Sequence, residues 1–67
     1  MVKLTTLGGE VSMFQFTPSG TVRDYASRGG VALDEHVTVS RNGKPAVPDT
    51  PVEENDLLIV APKISNG

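Results

Sequence analysis

The sequence has no cysteine and no tryptophan, and its aromatic residues are one tyrosine and two phenylalanines. Without cysteine there are no disulfides and no thiolate metal site, so stability has to come from an apolar core and a hydrogen-bonded sheet. A reducing cytoplasm suits such a chain. Excess positive charge is also missing: six Lys and Arg stand against eight Asp and Glu, a formal net charge of -2. The phosphate-directed electrostatics of nucleic-acid binding are therefore weak at the level of the whole chain, and nucleic acid is not an expected partner. Long apolar runs are absent as well. The opening Met1-Val2-Lys3-Leu4 passes directly into alternating residues, without the apolar stretch of a signal peptide or the length of a membrane span. The expectation is a soluble, unexported protein.

The length of 67 residues sets the next limit. A domain of this size buries only roughly 60% of the surface its unfolded chain exposes, which leaves no room for a deep catalytic cleft. One domain is expected over residues 1–62, followed by a tail over 63–67.

Val2 to Leu7 alternates, with Val2, Leu4 and Thr6 on one face and Lys3, Thr5 and Leu7 on the other, the period of a half-buried strand. Gly8-Gly9 tolerates the positive φ angles of a tight turn, and Val11 to Phe16 returns as a second strand. Thr17-Pro18-Ser19-Gly20 breaks the pattern. Thr21 with Asp24 three residues on resembles a capping box, so a helix starts there. Val22, Tyr25 and Ala26 share one face of it, Arg23, Asp24, Ser27 and Arg28 face water, and Gly29-Gly30 stops it after about two turns. A helix this short is stable only when docked on a sheet.

Val31 to Glu35 reads as a connection, and Val37 and Val39 alternate with His36, Thr38 and Ser40 as a third strand. Asn42-Gly43 suits a type I′ turn, returning the chain through Lys44 to Val47 as a fourth strand. Pro45 and Pro48 place that strand at an edge. A polar loop rich in Asp49, Glu53, Glu54 and Asp56 precedes Leu57 to Ala61, an uninterrupted apolar run that suits a strand central in the sheet or covered on both faces. Ile59 is accordingly expected to be a core residue. Pro62 ends the run, and Lys63-Ile64-Ser65-Asn66-Gly67 carries no packing pattern. The order ββαββ with a final central strand, parallel to the first, gives an α+β fold of the β-grasp type: a mixed sheet of four to five strands with one helix packed on one face.

Beyond pattern, Val39-Ser40-Arg41-Asn42-Gly43-Lys44 resembles the strand and hairpin of the ubiquitin-like and sulfur-carrier families, which include the small carriers of thiamine and molybdopterin synthesis. Val52-Glu53-Glu54-Asn55-Asp56-Leu57-Leu58-Ile59-Val60 looks like their acidic turn and last strand, with Asn55 where a glycine is common. The resemblance covers nearly the whole chain through short motifs. It implies a carrier rather than an enzyme, with no cofactor of its own. A separate adenylating enzyme would use ATP to activate the carboxylate of Gly67, and a sulfur- or modifier-accepting protein would act downstream. A glycine lets the backbone approach a nucleotide closely, and the five residues beyond Pro62 supply reach. The families' usual ending is a glycine pair, whereas Asn66 holds the penultimate place here. Lys63, Ile64 and Ser65 would join the partner-binding tail, and Glu53, Glu54 and Asp56 form an acidic patch able to meet a basic partner.

A second resemblance leads elsewhere. Pro18-Ser19-Gly20-Thr21-Val22-Arg23-Asp24-Tyr25-Ala26 is similar to the opening of TGS domains, β-grasp modules that occur within larger proteins. It implies a noncovalent interaction module that binds a protein or RNA partner, in which case the tail is an ordinary terminus. No activated nucleophile is marked by its neighbours, so intrinsic catalysis is not expected. His36 has only Asp34 and Glu35 near it in sequence and reads as a solvent-facing strand residue rather than a metal ligand.

Overall fold

Alternating burial along strands of three to six residues builds this molecule. The computed structural model describes residues 1–6 and 8–62. Its elements are β1 (Val2–Thr5), β2 (Val11–Phe14), α1 (Val22–Arg28), β3 (Val37–Arg41), β4 (Lys44–Ala46) and β5 (Leu57–Pro62). The five strands form one sheet in the order β2-β1-β5-β3-β4. β1 and β5 run parallel, with Leu4 opposite Leu58, and the other neighbouring pairs are antiparallel. This is the β-grasp arrangement expected from the sequence, with five strands and β5 at the centre.

Helix α1 is short, and its ends are tied to the rest of the chain. At its start the Thr21 backbone N–H donates to Asp24 Oδ2 at 2.9 Å. The next two N–H groups, which have no partner inside a helix, donate to the carbonyls of Thr50 and Pro48 at 3.0 and 2.9 Å. The 48–52 loop is therefore strapped across the helix N-terminus. At the other end Gly30 takes φ +73°, its N–H bonds the Ser27 carbonyl, and the Val31 N–H reaches back to Ala26 at 2.8 Å. These are the paired bonds of a Schellman motif. Gly29 keeps an ordinary φ of -82° and serves packing instead, since a Cβ there would lie 2.7 Å from Leu4 Cδ2.

Val22 and Tyr25 of α1 close over Val2, Leu4, Val39, Leu58 and Val60 on one sheet face, with Val52 from the strap. The Tyr25 ring is fully buried, and its hydroxyl accepts the Thr17 N–H at 2.8 Å, so the one tyrosine has its polar end satisfied. β2 ends at Phe14, two residues short of the sequence-based boundary, yet Phe16 still packs against the core.

Two expectations need correction. β5 is central, but only one of its faces is covered: Leu58 and Val60 are buried, whereas Ile59 is 37% exposed. With one helix above the sheet, nothing among the described residues covers the opposite face. His36 lies in the turn before β3 rather than in the strand, exposed, with its backbone N–H bonded to Asp34.

Candidate functional site: the open sheet face and the end of the last strand

Side chains that alternate with the core residues point to the other side of the sheet. Strand register aligns them in rows. Val11, Thr5, Ile59, Ser40 and Pro45 follow one another across all five strands, and Met13, Lys3 and Leu57 run beside them. Val11 and Met13 are each 53% exposed. Lys3 is the one charged side chain that the described strands place on this face. The described strands thus present a largely apolar surface with Lys3 as their single cation and no carboxylate of their own, suited to docking against an apolar protein surface.

β5 runs through the middle of that sheet and ends at Pro62, which pairs with Val37 at the start of β3. The expected carrier residues Gly67 and Asn66, with Lys63, Ile64 and Ser65, lie outside the described residues. What the structure places is their point of departure, at the end of the central strand and at one end of the open face.

The acidic loop is organised differently from a free patch. Asp56 is 5% exposed and turned inward. Its Oδ2 accepts Arg41 Nε at 2.5 Å and the Glu53 N–H at 2.7 Å, and its Oδ1 accepts Asn42 Nδ2 at 2.8 Å. The turn residue Asn42 reinforces this clasp, because its Oδ1 accepts the Leu57 N–H and its own N–H donates to the Leu57 carbonyl. The loop before β5 is thus locked to the β3–β4 hairpin. Asn55, left-handed at φ +68°, makes the reversal that turns Asp56 inward. Burial disfavours the charged form of Asp56. The Arg41, Glu53 and Asn42 hydrogen bonds and the Arg41 charge outweigh burial, and they hold the carboxyl below its ordinary range. Arg41 is raised in turn, chiefly by its bond to Asp56.

The other acids also face cations of this chain. Glu53 lies 3.7 Å from Arg41 and Asp49 lies 2.8 Å from Arg23. Glu54 lies 3.2 Å from the Met1 amine. Asp56 is therefore withdrawn from any surface patch, and Glu53 and Glu54 reach solvent with part of their charge already matched. No group of three or more potential metal-binding side chains occurs among the described residues. His36 Nε2 sits 3.9 Å from Glu35, with both side chains in solvent. No described helix is long and apolar enough to cross a membrane.

The sequence reading missed the open face. The signal was present: in a sheet carrying one helix, the residue between Leu58 and Val60 has to face away from it.

No family model matches the sequence, and comparison with curated protein sequences finds no match. Among solved structures, the fold is similar to that of SAMP1 from Haloferax volcanii, with a TM-score of 0.79 over 98% of each chain at 18% identity. A second structure, of H. volcanii small archaeal modifier protein 1, gives 0.73 at 19% identity, covering 94% of this chain and 97% of the other. Such likeness at low identity shows the fold: the chain has the β-grasp fold seen in those small modifier proteins.

Proposed function

We propose that this protein is a small ubiquitin-like modifier or sulfur carrier of the cytoplasm, a carrier rather than an enzyme. The observation that supports the reading is the likeness in fold to a small archaeal modifier protein, which covers 98% of this chain and 98% of the other. The domain provides recognition, with the open face around Ile59, Val11 and Met13 docking onto an adenylating enzyme. Residues 63–67 then enter that enzyme's active site from the end of β5.

In this reading a carboxylate oxygen of Gly67 attacks the α-phosphorus of ATP and pyrophosphate leaves. A sulfur or amine nucleophile next attacks the acyl carbon and AMP leaves. The protein then carries either a thiocarboxylate or an amide bond to its acceptor. ATP belongs to the partner, and this chain needs no cofactor of its own. Lys63, Ile64, Ser65 and Asn66 line the partner's channel.

Intact mass measurement of the protein isolated from its own cells tests the proposal. The expected species has one oxygen of the Gly67 carboxylate replaced by sulfur, or is joined through Gly67 to a lysine of another protein. Recovery of only the unmodified chain, bound noncovalently through the sheet face to a partner, would replace the carrier reading with that of a TGS-like interaction module.

A further inference from the structure

Residues of the 33–36 loop, of β3 and of β4 with the segment after it line a groove of about 270 Å³. A cavity of about 150 Å³ accommodates benzene, so a branched aliphatic side chain fits here. Leu33, Val37, Ala46 and Val47 supply apolar walls, and Val47 is 60% exposed. Both sides are held in place. On one, Asp34 Oδ1 accepts the His36 N–H at 2.8 Å and closes the turn before β3. On the other, the Val47 N–H donates to Thr50 Oγ1 and the Thr50 N–H donates to the Val47 carbonyl, each at 3.0 Å. The carbonyls of Pro48 and Thr50 in turn accept the first N–H groups of α1. The groove is therefore preformed, and an occupant has little of the protein to order.

Asp34 and Glu35 are the charged residues among those that line it, both exposed. Asp49, Glu53, Glu54 and Asp56 each face an arginine or the terminal amine of this chain. Among the described residues no Lys or Arg pairs with Asp34 or Glu35 in that way, and the ionisable neighbour of Glu35 is His36 Nε2 at 3.9 Å. The rim thus carries negative charge that an incoming cation would complement. Backbone pairing is closed to that occupant. Arg41 and Lys44 close the two-residue Asn42-Gly43 turn, so the next pair, Ser40 and Pro45, is the one without ladder hydrogen bonds. Pro45 accordingly holds the outward position of β4 and has no N–H to offer there. The groove can hold a side chain, whereas the edge beside it resists an added strand.

We propose that this groove docks an extended segment of a partner protein in which a branched aliphatic residue stands next to lysine or arginine. The aliphatic side chain seats against Leu33 and Val47, and the cation faces Asp34 and Glu35. Val11 and Met13 of the open face stand on β2, at the opposite edge of the sheet from β4. A partner held in the groove leaves them free, so the domain can engage two proteins at once. This second surface goes beyond the carrier reading and does not depend on it.

Titration of the isotope-labelled full chain with the capped peptide Gly-Lys-Leu-Lys-Gly, read by amide NMR, tests the site without ATP or an adenylating enzyme. The expected result is a saturable shift of the Leu33, Val37, Ala46 and Val47 amides with Thr5 and Met13 unchanged. The dissociation constant should be on the order of 1 mM, as for one aliphatic anchor with exposed ion pairs. Gly-Lys-Ser-Lys-Gly and Gly-Glu-Leu-Glu-Gly, which each lack one half of the match, should bind at least about fivefold more weakly. Val47→Ser, at a site exposed enough to leave the core intact, should weaken the leucine peptide about threefold. Asp34→Asn combined with Glu35→Gln, which keeps an acceptor for the His36 N–H, should weaken it about fivefold and remove most of its salt dependence. Equal shifts from the serine peptide would reduce the effect to charge alone, and shifts centred on Thr5 and Met13 would move the site to the open face. Either result would overturn the proposal, as would a titration that shows no saturation by about 10 mM peptide. Without peptide, shifts of the groove amides on dilution would assign the groove to a second copy, and shifts on removal of residues 63–67 would assign it to this chain itself. Both of those outcomes also overturn it.

Discussion

Replacing Asp56 by Ala removes the acceptor that joins the β3–β4 hairpin to the loop before β5. In the wild-type protein the carboxylate receives Arg41 Nε, Asn42 Nδ2 and the Glu53 N–H while 5% exposed. Truncation leaves the Glu53 N–H and the Asn42 amide without their partner, whereas the Arg41 side chain, 29% exposed, turns to water. Hydrogen bonds to a charged group contribute roughly 1.5–3 kcal/mol each, and losing one partner of a buried ion pair costs about 3–5 kcal/mol. With water reaching Arg41, the expected loss is about 2–4 kcal/mol. A chain of this length has about 3–10 kcal/mol in all, so the midpoint of thermal unfolding should fall by about 10–25 °C. Asp56→Asn, which keeps the shape and one acceptor oxygen, should lose less. Urea titration of the three proteins is the assay. If both variants stayed within about 0.5 kcal/mol of wild type, the clasp would carry no net stability and the reasoning would fail.

The same clasp sets a pH dependence. The folded-state pKa of Asp56 is depressed below the unfolded value of about 3.9, so its contribution is present above that value and is lost as pH falls through the folded pKa. Acid unfolding of wild type should steepen below about pH 4, and Asp56→Asn should flatten that limb. For β5, Leu58→Ala should cost about 2–5 kcal/mol in urea titration, and Ile59→Ala less than about 1.5 kcal/mol; equal costs would mean the open face is covered. Gly43 has φ +83° and no atom within 4 Å of a Cβ position, so Gly43→Val should destabilise by backbone strain alone, about 1–3 kcal/mol. Wherever that variant remains folded, its tail chemistry should be unchanged, which pyrophosphate exchange would check.

Local chemistry made much of the fold legible. Asn42-Gly43 demands left-handed geometry at both positions and takes it, at φ +53° and +83°. Thr21 and Asp24 cap α1 as their spacing suggests, and proline confines β4 to an edge. What was not legible depends on residues far apart in sequence. Asp56 reads as one more acid in a polar loop, because Arg41 and Asn42 lie 15 and 14 residues away. Ile59 sits in a run that does not alternate, so periodicity alone could not separate a strand covered twice from a central strand covered once. The sequence stopped short of the candidate site for the same reason: Val11, Thr5, Ile59, Ser40 and Pro45 come from five strands and meet only through the register of the sheet.

The central claim, activation at Gly67, is tested most directly by ATP–pyrophosphate exchange with the adenylating enzyme of the same cells. The comparison takes wild type, a chain lacking Gly67, and Asn66→Gly, each shown to fold by circular dichroism. Wild type should support exchange, the deletion should abolish it without loss of fold, since no described core residue is touched, and Asn66→Gly should equal or exceed wild type. If wild type supports no exchange while the wild-type and deleted chains bind the same physiological partner equally well, the account is contradicted and the domain acts through its sheet face alone.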